Sequence, residues 1–182
     1  MTYFQMLRAI SRAVTHDPPR WVSELWGDYP EPYYHLFYRL ARHAKTVVEL
    51  GVEKGRGSAS FCIGNPRCQV YGVETHRRQE IDAVIERFPN FHYIEASSLP
   101  IPEGIPEQID VLHIDTEHSY AQAENEFGTY KSRLVPGSVV CFDDTHAMDD
   151  GVLSYLMTLP YPIVLDDRLH SPCGYAVLYY DH

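Results

Sequence analysis

Acidic residues and histidines follow two apolar segments in the second half of the chain. Asp115 and His118 lie in the segment IDTEHSY, and Asp143 and Asp144 lie in the segment FDDTH. Carboxylates that crowd together repel one another unless they are protonated or bridged by a cation. Such oxygen ligands suit Mg²⁺, Mn²⁺ or Ca²⁺, and an imidazole that titrates near neutrality is the usual general base. These residues predict a divalent cation site beside a proton acceptor.

Each of these roles has an ordinary structural alternative. Asp143 or Asp144 could cap the next helix, which stabilises a protein by about 1 kcal/mol. His118 could be a buried structural histidine, and His146 is a rival base. His113 lies inside an apolar segment, which predicts a packed core residue.

A glycine-rich segment, VVELGVEKGRGS, follows an earlier apolar segment at residues 47–58. A dinucleotide-binding loop would read G-x-G-x-x-G, but Glu53 stands where the second glycine is needed, and the sequence of a P-loop is absent. Glu49 and Glu53 also disfavour a bound anion. The loop predicts a ligand with positive charge and no phosphate, and the alternative is that its glycines serve only a tight turn.

Glu74 ends the next apolar segment, VYGVE. An acidic side chain at this position of a nucleotide-binding fold accepts hydrogen bonds from ribose hydroxyls. The loop and the acid together are a stronger signal than either one alone, although Glu74 could also be only a solvated strand end.

The pattern Glu49-x-Gly51-x-x-x-Gly55-x-Gly57-Ser58 resembles the first motif of the class I S-adenosylmethionine-dependent methyltransferases. The resemblance implies that Gly51 and Gly55 bring the backbone against the cofactor, with Glu49 near its methionine portion. Many relatives carry a G-D-S-like sequence near the adenine after the third strand, where this chain has Ser97 and Ser98. The implied cofactor-binding residues are Glu49, Gly51, Gly55, Ser58, Glu74, Ser97, Ser98 and Asp115.

The segment IDTEHSYAQAENEFGTYKSRLVPGSVVCFDDTH resembles a subgroup of these enzymes, near the macrocin-type and mycinamicin-type sugar O-methyltransferases and the cephalosporin hydroxylase-like proteins. The resemblance implies that Asp115, Asp143 and Asp144 bind the metal ion. It also implies that His118, with Asp115, is catalytic. Many relatives have His-Asp-Thr where this chain has Asp143-Asp144-Thr145, and the second carboxylate favours a metal here.

Short apolar segments alternate with helical patterns from Thr46 onward. The strands and helices that they predict must position the candidate site residues. Nearly continuous apolar strands indicate burial on both faces, which is typical of a parallel sheet covered by helices. We therefore expect an α/β fold with a doubly wound, mostly parallel, Rossmann-like sheet of seven strands. The last two strands, Ile163–Leu165 and Tyr175–Tyr180, predict a hairpin that makes the final strand antiparallel.

The predicted strands before this hairpin are Thr46–Leu50, Gln69–Val73, Phe91–Ile94, Asp110–Ile114 and Ser138–Phe142. The predicted helices between strands are Ser58–Ile63, Arg77–Arg87, Tyr120–Leu134 and Met148–Leu159. Helical periodicity in the first fourteen residues and in Tyr33–His43 predicts a helical N-terminal cap over residues 1–45.

The composition of the chain restricts its partners. A length of 182 residues fits one domain, residues 1–182. A formal net charge of −10 argues against a nucleic acid partner. Four cysteines without a CxxC pair predict a reducing, cytoplasmic location, and we expect neither a signal peptide nor a membrane span. The first helix is a candidate element of a homodimer.

The resemblance implies an S-adenosylmethionine-dependent methyltransferase that methylates a hydroxyl oxygen with the help of a divalent cation, for which Mg²⁺ is the first choice. A sugar, a polyketide or another small secondary-metabolite-like molecule would be the acceptor. One alternative is a cephalosporin hydroxylase-like protein of the same fold, and another is a non-catalytic module that binds S-adenosylmethionine or a nucleoside. An NAD-dependent oxidoreductase is disfavoured because the G-x-G-x-x-G loop is missing.

Overall fold

A single mixed sheet organises the computed structural model, which describes residues 1–15, 32–170 and 172–181. Its strands in these ranges are β1 (Thr46–Leu50), β2 (Gln69–Glu74), β3 (Phe91–Glu95), β4 (Ile109–Ile114), β5 (Leu134–Asp143), β6 (Ile163–Leu165) and β7 (Tyr175–Tyr180). The strand order is β3-β2-β1-β4-β5-β7-β6, and β7 runs antiparallel to both of its neighbours. The predicted seven-stranded, mostly parallel sheet with a C-terminal hairpin is confirmed.

The helices of the described ranges are α1 (Tyr3–Thr15), α2 (Pro32–Ala41), α3 (Arg56–Gly64), α4 (Glu80–Arg87), α5 (Tyr120–Tyr130) and α6 (Gly151–Leu156), with a 3₁₀ turn at Lys131–Arg133. Residues 16–31 of the predicted N-terminal cap lie outside the described residues. None of the described helices is long and apolar enough to cross a bilayer.

The largest difference from the predicted helices is at the start of α6. Periodicity predicted a helix from Met148, but Met148, Asp149 and Asp150 all have positive φ angles, between +48° and +59°. A right-handed helix cannot contain such residues, so α6 begins only at Gly151. The helix predicted over Tyr120–Leu134 is also shorter, because the chain passes through the 3₁₀ turn and enters β5 at Leu134.

The sheet is buried on both faces, as the apolar strands predicted. Val47, Val111 and Val139 point to the face that is covered by α1 to α4. Their neighbours along the strands, such as Val48 and Leu112, point to the face that is covered by α5 and α6. Successive side chains of a strand alternate between faces, so each strand contributes to both cores.

The face beneath α2 also carries polar side chains near the carboxyl ends of the strands. Glu49 of β1 pairs in register with His113 of β4. Asp115 lies two residues after His113 and therefore on the same face. Ile114 is in register with Phe142 of β5, so Asp115 and Asp143 follow neighbouring strands side by side.

Phe37 of α2 covers this polar row. Its ring stacks on Phe61 of α3 at a centroid distance of 4.3 Å and meets the ring of His113 edge-on at 4.6 Å. One turn earlier, Tyr33 stacks on Tyr175 of β7 at 5.3 Å. Aromatic contacts therefore attach α2 to the sheet directly above the buried polar groups.

Replacing Phe37 tests this attachment. Because Phe37 is fully buried, Phe37→Ala should lower the free energy of unfolding by about 3–5 kcal/mol, as for other large-to-small core changes. Chemical denaturation measures the loss. The matched control is Phe4→Ala on α1, where the side chain is 77% exposed and the expected change is within about 0.5 kcal/mol. Equal losses in the two variants would show that α2 is not held in this way.

Candidate active site

The glycine-rich loop between β1 and α3 runs against the end of β4. Gly51 has a φ of +83°, and a side chain there would collide with the backbone carbonyl oxygen of Asp115. Gly55 has a φ of +80°, and a side chain there would press on Ile81 and Val84. Glycine is the residue that adopts such angles without steric cost. Both glycines therefore allow the loop to lie close to its neighbours.

Two cavities meet at this loop. The larger has a volume of about 390 Å³ and the smaller about 40 Å³, and Gly51 and Asp115 line both. The larger cavity is also lined by Glu74, Ser97, Ser98, Thr116, Glu117 and Gln122. The smaller one is also lined by Tyr33, Tyr34, Phe37, Glu49, Arg56 and His113. Of the residues predicted to bind the cofactor, all but Gly55 and Ser58 thus line one or both of these adjoining cavities.

Several residues that line this site belong to no recognisable sequence motif. Gln122 projects from α5, and its amide donates to Ser98 Oγ at 3.4 Å and to Glu126 at 2.8 Å. Tyr33 and Tyr34 of α2 line the smaller cavity, and their hydroxyls are 3.0 Å apart. Their helical spacing predicted a buried helix, but it could not show which cavity that helix would cover.

Glu74, at the end of β2, holds the glycine-rich loop in place. Its Oε2 accepts the backbone N–H groups of Val52 at 3.2 Å and Glu53 at 3.1 Å, and its Oε1 accepts the N–H of Thr75 at 2.8 Å. Burial raises the pKa of Glu74, but these hydrogen bonds outweigh burial and leave its pKa below the ordinary value. The carboxylate is therefore kept charged at the edge of the larger cavity.

Glu49 and His113 form a buried pair at the floor of the smaller cavity. Glu49 Oε1 lies 3.2 Å from His113 Nδ1, and Glu49 Oε2 accepts the hydroxyl of Ser58. Burial raises the pKa of Glu49. Burial opposes the charged form of His113, but the hydrogen bond and the charge of Glu49 outweigh it and raise its pKa. Both shifts favour a proton between the two side chains.

This pair changes the interpretation of three predicted residues. His113 is only 1% exposed, which confirms the predicted core position, but the sequence did not reveal its bond to Glu49. Glu49 directs its carboxylate at Ser58 and His113. Ser58 is fully buried and supports Glu49 from behind the loop. Direct cofactor contacts by Glu49 and Ser58 stay predictions.

Two histidines face the carboxylates at the ends of β4 and β5. His118 has a φ of +63°, and its Nε2 lies 3.0 Å from Asp115 Oδ1 while its Nδ1 lies 3.4 Å from Asp144 Oδ2. His170 Nδ1 lies 2.6 Å from Asp143 Oδ1. His170 comes from the loop between β6 and β7, far from any motif, so the sequence did not single it out.

The carboxylates and histidines shift one another's protonation. Burial raises the pKa of Asp115, and the hydrogen bond from His118 only partly opposes this. Burial disfavours the charged form of His118, but the hydrogen bond and the charge of Asp115, with those of Asp144 and Asp143, raise its pKa above the ordinary value. The neighbouring carboxylates therefore stabilise the protonated form of His118.

The structure groups the predicted metal ligands differently from the sequence. Single ligand atoms of His113, Asp115 and Asp143 lie within 4.8 Å of one another. Asp144 belongs instead to a second group of the described residues, with His170 and Cys173. Asp115 and Asp143 are thus brought together as predicted.

One alternative raised by the sequence does not hold, and the base role of His146 stays a prediction. The residue at the N-cap position of α6 is Asp150, so the helix-cap role for Asp143 or Asp144 is wrong. His146 is exposed at the surface and pairs with Asp150 at 3.1 Å and Asp167 at 3.2 Å. His118, and not His146, is the histidine that bonds to Asp115.

Sequence comparison identifies a family and one curated relative. The family model described as "Methyltransferase domain" matches residues 48–145, which contain the glycine-rich loop, Glu74 and the carboxylate segments. A protein named Uncharacterized protein R132, from Acanthamoeba polyphaga mimivirus, is 26% identical over 154 residues, covering 74% of this chain and 69% of the viral protein.

Solved structures share the fold at low sequence identity. Cofactor-bound Rv0187 from MTB has a TM-score of 0.69 and 16% identity, covering 97% of this chain and 88% of that one. The O-methyltransferase from Bacillus cereus in complex with SAH has a TM-score of 0.68 and 13% identity, covering 100% and 92%. SAH-bound methyltransferase PaMTH1 from Podospora anserina has a TM-score of 0.67 and 13% identity, covering 98% and 88%.

The role of Glu74 in holding the loop predicts a pH-dependent loss of stability in Glu74→Gln. A group with a lowered pKa contributes stability above its unfolded-state pKa, near 4.5, and this is lost as the pH falls through the folded-state pKa. At pH 7 the variant should be about 1 kcal/mol less stable than the wild type, since the site is partly exposed. The difference should disappear in acid.

Denaturant unfolding at pH 7 and at pH 3.5 measures this effect. Glu86→Gln, on the exposed side of α4, is the control and should change the stability by less than about 0.5 kcal/mol at either pH. A Glu74→Gln difference that does not depend on pH would contradict the charge-based role.

Proposed function

This chain belongs to the class I S-adenosylmethionine-dependent methyltransferases, and we propose that it transfers the methyl group to a hydroxyl oxygen of a small molecule. The observation that carries this proposal is the position of Asp115. It lines both cavities, where it meets the glycine-rich loop, and its carboxylate is bonded to His118. Asp115 therefore connects the candidate cofactor site with His118, the candidate proton acceptor.

The residues of the two cavities fit S-adenosylmethionine. Glu74 would accept the ribose hydroxyls, and Ser97 and Ser98 border the same larger cavity, where the adenosine portion would lie. The methionine portion would lie past Gly51 in the smaller cavity, which Glu49 lines. Carboxylates around the junction favour a positively charged sulfonium group and disfavour a phosphate. Gly51 and Gly55 would bring the backbone against the cofactor.

His118 and Asp115 would carry out the proton transfer. S-adenosylmethionine supplies a methyl group that is already electrophilic, so the protein mainly has to align the acceptor oxygen and take its proton. Asp115 would accept the N–H of His118 Nε2, so that Nδ1, which lies 3.4 Å from Asp144 Oδ2, takes the proton of the acceptor and Asp144 stabilises the imidazolium that forms. The hydrogen bond at 3.0 Å between Asp115 and His118 supports this assignment.

Asp115 and Asp143 would hold a divalent cation. The carboxylate of Asp144, the next residue, lies in a neighbouring group with His170 and Cys173. Two carboxylates that follow neighbouring strands at a mostly buried site need a positive partner. When bound, the ion would lower the pKa of a hydroxyl that it coordinates. Mg²⁺ is the ion that the carboxylates alone suggest.

The proposal also covers the domain extent, the acceptor, the cellular location and the oligomeric state of the protein. We place one methyltransferase domain over residues 1–182, with residues 1–45 as its cap, and expect a small-molecule acceptor such as a sugar or a polyketide. Cys62, Cys68 and Cys141 are buried free thiols, which agrees with a reducing, cytoplasmic location. A homodimer through α1 is also part of the proposal.

Isothermal titration tests the cofactor assignment. S-adenosylmethionine and S-adenosylhomocysteine should both bind the full chain, whereas NAD should not. Repeating the titration with Mg²⁺ and a hydroxylated acceptor measures whether the cation assists the acceptor. If S-adenosylmethionine binds but no acceptor from a panel of sugars and polyketides is methylated, the result contradicts the proposed acceptor class and favours the non-catalytic binding module. Failure of both cofactor forms to bind would contradict the proposal.

Replacing His118 tests the proton acceptor. His118→Ala should lower methyl transfer by about 10²–10⁴-fold, the range typical of general base removal, and it should leave the affinity for S-adenosylhomocysteine nearly unchanged. His146→Ala is the matched control, because that histidine is exposed and bonds to Asp150 and Asp167, and its activity should match the wild type. Unchanged turnover in His118→Ala would refute the assignment.

A further inference from the structure

One ring nitrogen of the buried His113 has no hydrogen-bond partner among the described residues. His113 is 1% exposed, and its Nδ1 faces Glu49 at 3.2 Å. Its Nε2 is buried and has no hydrogen bond to any residue in the described ranges. A buried polar atom without a partner is rare in a folded protein, because burial without a hydrogen bond is costly. The atom therefore points to a ligand.

We infer that His113 is the third ligand of the cation held by Asp115 and Asp143, and that Glu49 is the positioning residue that orients His113. This inference rests on the cation site of the proposed function. One ligand atom of each of the three residues lies within 4.8 Å of the others, close to the spacing that a common ion requires. Asp144, which the sequence placed in the ligand set, is not in this group.

Glu49 fixes the ring of His113 in the state that a metal ion needs. When Glu49 accepts the N–H of Nδ1, the lone pair of Nε2 is left available. Metal-bound histidines usually have such a carboxylate on the nitrogen that does not face the metal. Ser58 donates its hydroxyl to the other oxygen of Glu49, so Ser58 in turn fixes the carboxylate.

The two carboxylate ligands are held in the same way. Asp115 Oδ1 is bonded to His118. Asp143 Oδ1 accepts from His170 at 2.6 Å and from the backbone N–H of Asp144 at 2.8 Å. Within the described part of the chain, no hydrogen bond is made to the Oδ2 atom of either aspartate. Each aspartate therefore has one oxygen that orients it and one that an ion can use.

Asp144 has different neighbours. Its carboxylate faces His118 at 3.4 Å and His170 at 3.5 Å. Its backbone has a φ of +48°, which turns this residue away from the direction of β5. The Oδ1 atom of Asp144 is also buried without a hydrogen bond in the described ranges, but Asp144 groups with His170 and Cys173 and not with His113, Asp115 and Asp143. Asp144 is therefore assigned to orienting the two histidines rather than to the ion.

An imidazole ligand changes the expected metal. Mg²⁺ and Ca²⁺ prefer oxygen ligands only, whereas imidazole suits Mn²⁺, Fe²⁺ and Zn²⁺ better. A site with one histidine and two aspartates should therefore bind Mn²⁺ more tightly than Mg²⁺. The sequence suggested Mg²⁺ because it showed only the carboxylates.

Mn²⁺ titration of the full chain, followed by electron paramagnetic resonance without S-adenosylmethionine or an acceptor, tests this inference. Pulsed spectra of the wild type should show coupling to a nitrogen. The coupling should disappear, and the Mn²⁺ affinity should fall at least tenfold, in His113→Phe, which keeps an aromatic ring against Phe37. His118→Ala should keep the coupling, and Asp144→Asn should change the affinity by less than about threefold.

Replacing Glu49 tests the positioning role. Glu49→Gln should weaken Mn²⁺ binding by about 10–100-fold, as for other residues that orient a metal-bound histidine, while the nitrogen coupling of the bound fraction persists. Glu126→Gln is the matched control, because Glu126 is a fully buried glutamate that bonds to Thr116 and Gln122 on α5. Its Mn²⁺ affinity should equal that of the wild type.

The outcomes separate this inference from the proposed function. Absence of nitrogen coupling in wild-type protein that binds Mn²⁺ would overturn the inference without any variant. Loss of Mn²⁺ from Asp144→Asn but not from His113→Phe would overturn it in favour of the all-carboxylate site. Because no methyl donor is present, neither result depends on whether the protein transfers a methyl group.

Discussion

Charged side chains that are buried at the carboxyl ends of β1, β4 and β5 need partners, and that need organises the site. Glu49, Asp115 and Asp143 lie at or just past the ends of neighbouring strands, on the face beneath the aromatic cover of α2. An isolated carboxylate in such a place would be too costly to bury. Each one is therefore paired with a histidine: Glu49 with His113, Asp115 with His118 and Asp143 with His170.

This pairing also explains why the polar row lies where it does. Helices cover both faces of a parallel sheet. Polar side chains can therefore reach a ligand or solvent only where the strands end. The glycine-rich loop lies on this edge. Two glycines with positive φ angles let it lie close to its neighbours, Gly51 beside Asp115 and Gly55 against Ile81 and Val84. The fold thus has one edge at which a ligand, buried charges and backbone N–H groups can meet.

Much of this arrangement could be predicted from the sequence, because it follows from periodicity and from strand ends. Continuous apolar strands predicted the covered parallel sheet. The position of Asp115 and Asp143 after two neighbouring strands predicted that they would meet, and the missing second glycine disfavoured a dinucleotide-binding loop. Such features are local in the sequence or follow from the sheet order.

The remaining features depend on contacts between distant segments, which no local pattern records. His170 reaches Asp143 from a loop 27 residues away. His113 looked like a core residue because its neighbours are apolar, and only the register of β1 with β4 places Glu49 beside it. Asp144 looked equivalent to Asp143 in the sequence, but its positive φ separates the two carboxylates.

The balance of charge connects the buried pairs to the proposed reaction. A sulfonium donor carries one positive charge, and in the proposed reaction its sulfur would become neutral while the proton of the acceptor passed to His118. The positive charge would therefore move from the sulfur to an imidazole that is bonded to Asp115 and lies beside Asp144. Since Asp115 borders both cavities, the same carboxylates can stabilise the charge at the start and at the end, and water need not enter the site to do so. Fixed carboxylates lower the barrier to the extent that they stabilise the charge distribution of the transition state more than that of the bound reactants.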